Sequence, residues 1–293
     1  MVHPVWELRF KRLVILKHIA KLGSSSPDID EFCDTRVEEA VEDLRQGRTN
    51  PLASEMRDAN EPWSPAYPCL TQKGDEPTFA APPDASDQNL PSIVLGLGTV
   101  VPRWGTSVSH PTTLKWFVDA AKFPTAAEAG AAAEALDQAA EEWNGVAFGV
   151  TVVQTTEKKE ANFNLAYRGN PPGRPRTLAR GFFPHQADRD IVVFKYGMDP
   201  SNASRLKNVF LHELGHVFGL RHEFAIEKEQ QGAKLFMTAN KDSVMEYNKV
   251  PMIQETDKEG IREFYKLPNG SDVDGSPVTD YIPQLRSINQ TDP

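Results

Sequence analysis

The sequence predicts an α+β (mixed α/β) fold in which a sheet packs against helices. Short apolar runs bounded by Gly, Pro or charged residues alternate with longer helical patterns after residue 92. Eight prolines between residues 50 and 91 exclude long regular elements before that point. The 39% hydrophobic and 25% charged content is ordinary for a soluble globular protein, so we expect one core domain with extensions.

Residues 1–91 are predicted to be an N-terminal extension. Two helical patterns, about residues 5–22 and 35–46, lead into the proline-rich stretch. The apolar run Leu13–Leu16 is too short for the core of a secretory signal peptide. No signal peptide is recognisable, so the sequence leaves the compartment open between cytoplasmic, non-classically released and extracellular.

Residues 92–268 are predicted to form the core domain, and residues 269–293 a disordered tail. The predicted strands are Leu114–Val118, Ala147–Gln154, Asn162–Tyr167, Leu178–Phe183 and Ile191–Tyr196. The predicted helices are Thr125–Trp143, Ser204–Phe218 and Asp257–Tyr265. The first helix is rich in Ala, with Thr125 as the N-cap and Gly145 just beyond its end. The tail is rich in Gly, Ser, Asp and Pro, which is typical of disorder.

Charge and cysteine content exclude several classes of partner and scaffold. The net charge is -9 and no block of Lys and Arg is long enough for a nucleic-acid surface. No run of eighteen apolar residues occurs, so no membrane span is predicted. Cys33 and Cys69 allow at most one disulfide, which excludes a disulfide-dense scaffold.

The segment HELGHVFGLRHE carries the chemistry. On a helix, His212 and His216 lie one turn apart on one face, so both imidazoles can reach one metal ion. Glu213 is rotated by about 100° from His212, which places it beside the metal as a general base for an attacking water. Gly219 can end the helix in a left-handed conformation, and His222 then returns as a third ligand. Three histidines with one open position are typical of a catalytic zinc site.

An ordinary polar helix face is the competing interpretation of this segment. A bare HExxH leaves the two interpretations about evenly matched. The additional Gly and third His reduce a chance match to roughly one in ten thousand chains or rarer. Three of the seven histidines also fall within eleven residues, so we predict one catalytic zinc.

The motif HExxHxxGxxH, followed downstream by SVMEY, resembles the metzincin superfamily of zinc peptidases. This resemblance implies a metzincin-type zincin fold: a twisted, mixed five-stranded sheet with an active-site helix and a C-terminal helix. It also implies that Met245 lies beneath the zinc-binding histidines without being a ligand. Tyr247 matches the tyrosine that astacin-like and serralysin-like members place near the zinc. The resemblance implies that it could stabilise the oxyanion of the reaction.

Several strings between Ile93 and Leu267 resemble the matrixin catalytic domain in the same order. They are ANFNLAYRG, TLARGFFP, DIVVF, NVFLHELGHVFGLRH and DKEGIREFY. The resemblance implies that a peptide or protein substrate lies extended along the edge strand around Leu178–Phe183.

The sequence departs from the matrixin pattern at Arg180 and at Glu223. Arg180 stands where matrixins have a His that binds a second, structural zinc, so we expect no structural zinc here. Asp188 and Asp190 could hold calcium, although solvated turn carboxylates are the favoured interpretation. Glu223, directly after the third His, resembles astacins and could be a solvated or salt-bridged acid.

These features together predict a zinc metalloendopeptidase with His212, His216 and His222 as ligands. Glu213 would be the general base and Tyr247 would help to hold the oxyanion. One alternative is a dedicated processing peptidase for one peptide. Another is a zinc-stabilised, non-catalytic binding module, against which the intact Glu213 argues. Oligomeric state is not readable from the sequence.

The N-terminal extension also resembles the latency segments that often precede metzincin domains. Cys69 in YPCL and Asp75 in QKGD are the two candidates for a ligand that blocks the zinc. The matrixin switch residues around the Cys are absent, and Gln72 replaces the Phe of the astacin switch. A stabilising wrap is therefore the favoured interpretation, with latency as the alternative.

Overall fold

The computed structural model describes residue 71 and residues 92–106, 110–229, 232–238, 240–246 and 250–286. Its strands are β1 (Ser92–Leu95), β2 (Val101–Trp104), β3 (Thr112–Val118), β4 (Val150–Gln154), β5 (Phe163–Arg168), β6 (Ala179–Arg180), β7 (Asp190–Phe194), β8 (Lys234–Met237), β9 (Asp272–Val273) and β10 (Ser276–Tyr281). Its longer helices are α1 (Ala126–Asn144), α2 (Leu206–Val217) and α3 (Glu255–Lys266). Short helical segments occupy Ala120–Lys122, Lys158–Glu160, Lys195–Met198, Pro200–Ala203 and the π-helical turn Ala225–Glu229.

A five-stranded mixed sheet forms the centre of the fold, which confirms the predicted fold class. Its strand order is β4-β3-β5-β7-β6. The first four strands are parallel to their neighbours, whereas β6 runs antiparallel to β7. Strand β6 therefore lies at one edge of this sheet, where the sequence had placed the edge strand.

Helix α1 forms because its sequence is rich in Ala and has a strong N-terminal cap. The Thr125 side chain accepts a hydrogen bond from the Glu128 backbone N–H at 3.1 Å, as predicted for an N-cap. At the other end, the buried Trp143 indole donates to the Leu211 carbonyl of α2 at 2.9 Å. Helix α1 thereby fixes the position of the helix that carries the HExxH residues.

Helix α2 is buried along most of its length and ends abruptly at its glycine. Gly219 has a φ of +95°, and its N–H donates to the His216 carbonyl at 2.9 Å. A Cβ at this position would overlap the Pro102 carbonyl oxygen, so the tight turn requires Gly. After this turn the chain reaches β1, where the Arg221 N–H donates to the Val94 carbonyl at 2.8 Å.

The prediction of a disordered tail is wrong for residues 272–281. These residues form β9 and β10, and β10 pairs in parallel with β2. Val278 is buried, and the buried Arg103 pairs with Asp280 at 2.7 Å. Burial of apolar surface together with this ion pair orders a segment whose polar composition alone suggested a flexible tail.

Strand β6 is shorter than the predicted strand Leu178–Phe183. Only Ala179 and Arg180 pair with β7. The next N–H, that of Gly181, donates instead to the Thr71 hydroxyl and to the Glu213 carboxylate. The helical patterns predicted at residues 5–22 and 35–46 lie outside the described residues. None of the helices in the described part has both the length and the apolar character needed to cross a bilayer.

Candidate metal centre

Three histidines meet at the end of helix α2. His212 and His216 lie one turn apart on the helix, and His222 follows the glycine turn. All three are at most 3% exposed, and one ring nitrogen from each lies within 4.8 Å of the others. The Nε2 atoms of His216 and His222 are 3.2 Å apart. The predicted ligand set is thus brought together in one buried cluster.

The hydrogen bonds of the rings determine which nitrogens face the shared point. His212 Nδ1 is 2.9 Å from the Val244 carbonyl, and His216 Nδ1 is 2.8 Å from the Leu220 carbonyl. A carbonyl oxygen only accepts, so the proton of each neutral ring is on Nδ1 and the lone pair is on Nε2. His222 Nδ1 is 2.6 Å from a carboxylate oxygen of Glu229, which has the same effect.

The protonation states of His212 and His216 also suit a metal. Burial, aided by the charge of His222, lowers the pKa of His212 to about 3. Burial likewise lowers the pKa of His216 well below its usual value. A neutral imidazole with its lone pair on Nε2 is the form that binds zinc, so His212 and His216 fit this metal, and Nε2 of His222 lies beside them.

Glu213 lies between helix α2 and the edge strand. Its side chain is buried, and its Oε2 accepts a hydrogen bond from the Gly181 N–H at 2.5 Å. A Cβ at Gly181 would come within 2.7 Å of the Glu213 carbonyl oxygen, so the close approach requires Gly. Glu213 therefore follows a predicted metal ligand directly in the sequence. Its carboxylate also lies next to the strand that is predicted to bind substrate.

A turn at Ser243–Met245 packs against helix α2, which carries two of the histidines. Met245 is buried, and its sulfur packs so closely on Gly215 that a Cβ there would overlap it. Gly215 lies on α2 directly before His216, which places the Met245 side chain against the metal-binding turn of the helix. Tyr247, two residues further on, lies outside the described residues.

Comparison with known proteins decides the family. The family model described as metallopeptidase family M12, of the reprolysin type, matches residues 107–256, which are 150 of the 293 residues. The chain belongs to metallopeptidase family M12. No curated protein sequence matches significantly. The crystal structure of metalloproteinase-II from Bacteroides fragilis is similar with 12% identity and a TM-score of 0.32, over 60% of this chain and 59% of that one. The chain thus spans less than two thirds of the length of that protein.

Thr71 contacts the candidate site of this M12 metallopeptidase, and no sequence motif predicted this contact. Its hydroxyl donates to Glu213 Oε2 at 2.9 Å and accepts from the Gly181 N–H at 2.8 Å. Thr71 lies in the N-terminal extension between Cys69 and Asp75, which are both outside the described residues. A residue of the extension therefore contacts the carboxylate predicted to be the general base.

Glu229 and Arg221 were also missed by the sequence analysis. Glu229 bonds His222 through one oxygen and Arg221 through the other, at 2.6 Å and 3.0 Å. Arg221 occupies a variable position of the motif HExxHxxGxxH, and Glu229 belongs to no short motif. Glu229 reaches the centre only because the π-helical turn Ala225–Glu229 folds back onto the His222 loop.

The acids singled out in the sequence have varied partners. Asp188 pairs with Arg180 at 2.9 Å, and Asp190 pairs with Arg286. Asp188 is exposed, as expected of a solvated turn carboxylate. Asp190 is instead fully buried in β7, so the expectation of a solvated turn acid is wrong for Asp190. Glu223 accepts a hydrogen bond from the Asn240 N–H at 3.2 Å. Burial, with smaller contributions from nearby carboxylates, raises the pKa of Glu223 to about 8.

Proposed function

We propose that this M12 metallopeptidase is a zinc-dependent endopeptidase with Glu213 as its general base. One observation carries the proposal. The buried Glu213 carboxylate lies on the same helix as two converging histidines and also accepts a hydrogen bond from the residue that follows edge strand β6. A base in this position can reach a water and a peptide carbonyl that lie between the histidines and the strand.

Each residue of the proposed site has a separate role in the reaction. Zinc, when bound by His212, His216 and His222, would polarise the scissile carbonyl and make a water more acidic. Glu213 takes the proton of the attacking water and delivers it to the leaving amine. By the metzincin resemblance, Tyr247 donates a hydrogen bond to the oxyanion as it develops.

Strand β6 supports binding of an extended peptide. Among the described strands, β6 pairs only with β7, so no other described strand occupies its outer edge, where a peptide could be added. A peptide paired along this edge can continue in both directions past Gly181. This geometry favours cleavage inside a chain over removal of a terminal residue.

Cleavage-site profiling on a peptide library, with and without a zinc chelator, tests the proposal. Chelator-sensitive cleavage at internal bonds of many peptides would support a general endopeptidase. Cleavage of a single sequence class would instead identify a dedicated processing peptidase. Absence of cleavage by the zinc-loaded protein freed of its N-terminal extension would contradict both and leave a zinc-stabilised binding module.

We also propose that residues 1–91 act as a latency segment. The Thr71 hydroxyl bridges Glu213 and Gly181, so it takes up hydrogen-bonding groups that the proposed reaction and strand addition would use. This contact favours latency over a stabilising wrap. The blocking group it suggests is a hydroxyl on the general base, whereas a Cys69 thiolate or Asp75 carboxylate would block the metal.

A further inference from the structure

The three metal-binding histidines differ in what holds their second nitrogen. His212 and His216 bond to backbone carbonyls at Nδ1, whereas His222 bonds to the carboxylate of Glu229. A carboxylate is a stronger acceptor than a carbonyl and raises the electron density of the ring more. The third ligand is thus hydrogen-bonded to a charged side chain, whereas the other two are hydrogen-bonded to the backbone.

The position of His222 in the fold explains why it needs such a partner. His212 and His216 are fixed by the hydrogen bonds of helix α2. His222 follows Gly219, outside the helix, so the helix does not set the direction of its ring. Its bond to Glu229, at 2.6 Å, is the shortest of the three Nδ1 contacts.

Glu229 is itself fixed by the residue next to His222. Arg221 is fully buried and donates to Glu229 Oε2 at 3.0 Å and to the Gly96 carbonyl at 3.1 Å. Arg221 is also tied to β1 through its backbone N–H. One oxygen of the carboxylate therefore bonds to a residue anchored to β1, and the other oxygen bonds to the metal ligand.

We propose that Glu229 is a positioning residue for the third zinc ligand. It holds the proton of His222 on Nδ1 and sets the ring plane, so that Nε2 faces the point shared by the other two histidines. Arg221 acts one step further away by fixing Glu229. The proposal rests on the zinc site of the proposed function and not on the peptidase reaction.

A plain structural ion pair is the competing explanation. In that case Arg221 and Glu229 merely join the His222 loop to the π-helical turn Ala225–Glu229, and their loss lowers stability without changing the metal site. Zinc affinity and the electronic spectrum of bound cobalt distinguish the two explanations, because both report on the ligands directly.

The test compares E229A, E229Q and the control E227Q. Glu227 is exposed and lies in the same π-helical turn. Zinc dissociation constants would be measured by competition with a chelator of known affinity, and visible spectra would be recorded on the cobalt-substituted proteins. We expect E229A to weaken zinc binding by about 10- to 100-fold, the usual effect of losing an outer partner of a ligating His. We also expect an altered cobalt spectrum in E229A, and wild-type behaviour in E227Q.

Wild-type zinc affinity and cobalt spectrum in folded E229A would overturn the proposal, even if its melting temperature fell. If E229A does not fold, E229Q decides, since it keeps the shape and removes the charge. Zinc binding about tenfold weaker in E229Q would support the proposal, and unchanged binding would overturn it. Absence of peptidase activity in the zinc-loaded protein freed of residues 1–91 would contradict the proposed function and leave this result intact.

Discussion

The backbone carbonyl of Val244 accepts a hydrogen bond from Nδ1 of His212 at 2.9 Å. The N–H of the same residue donates to Oδ2 of Asp257 at 2.9 Å, and Ser243 Oγ donates to Oδ1 at 2.7 Å. Asp257 lies in the first turn of helix α3, where it also completes a capping box. A single residue, Val244, thus connects the start of α3 to the first predicted zinc ligand.

Removal of this carboxylate should damage both the fold and the metal site. Asp257 is fully buried, so D257A leaves its hydrogen-bond donors unpaired and should lower the free energy of unfolding by about 2–4 kcal/mol. Chemical denaturation of the zinc-free protein measures this change, and chelator competition measures the accompanying loss of zinc affinity. E259A, at an exposed position of the same helix, is the control and should change little. Equal stability of D257A and E259A would contradict the assigned role.

The buried histidines should make the zinc-free fold sensitive to acid. Burial lowers the pKa of His212 to about 3 from its usual 6.5, so below pH 6.5 the unfolded chain binds a proton that the folded chain refuses. The contribution of His212 is therefore complete above pH 6.5 and is lost progressively as pH falls toward 3.

Asp257 titrates with the opposite sign, because burial raises its pKa to about 6. The difference in the free energy of unfolding between wild type and H212Q isolates the contribution of His212. We expect the stability of H212Q relative to wild type to rise as pH falls from about 6.5, measured by urea denaturation at each pH. A difference that is constant between pH 7 and pH 4 would show that His212 has no lowered pKa.

Loss of the Thr71 hydroxyl should activate the enzyme. Hydrogen bonds to charged groups contribute about 1.5–3 kcal/mol, so T71V should raise peptide hydrolysis by about tenfold or more, whereas T71S should behave as wild type. Deletion of residues 1–91 should raise hydrolysis further. C69A and D75A are parallel variants, and activation by either one alone would transfer the blocking role to the zinc ligand it removes. If the intact chain is fully active and the deletion only lowers its stability, the N-terminal extension is a stabilising wrap and not a latency segment.

The contribution of Tyr247 is a prediction from family resemblance alone. Y247F removes one oxyanion donor, and we expect a loss of about a hundredfold in turnover number with zinc content unchanged. Steady-state kinetics on a cleaved peptide measures this. An unchanged turnover number would return Tyr247 to a packing role.

Features set by local sequence were predicted well. Helix α1 begins and ends within one residue of the prediction because Thr125 caps it and its alanines favour a helix without help from the rest of the fold. The His212, His216 and His222 cluster was predicted because helical spacing and one glycine turn bring these side chains together.

Features set by distant contacts were not predicted. Strand β10 pairs with β2 across more than 170 residues, and the ion pair between Arg103 and Asp280 that fixes it leaves no periodic pattern in either segment. The contacts of Glu229 and Thr71 with the metal centre depend in the same way on the paths of two loops. Strand β6 was predicted too long, because the Gly181 N–H turns to Glu213 instead of continuing the ladder.

The central claim is that Glu213 performs proton transfer at a zinc held by three histidines. The decisive measurement is the zinc content and peptide hydrolysis of E213Q, with E259Q as the control, both in the chain freed of residues 1–91. We predict one zinc per chain in both variants and a loss of about 10²- to 10⁴-fold in hydrolysis in E213Q only. Hydrolysis at a near wild-type rate by zinc-loaded E213Q would contradict the account.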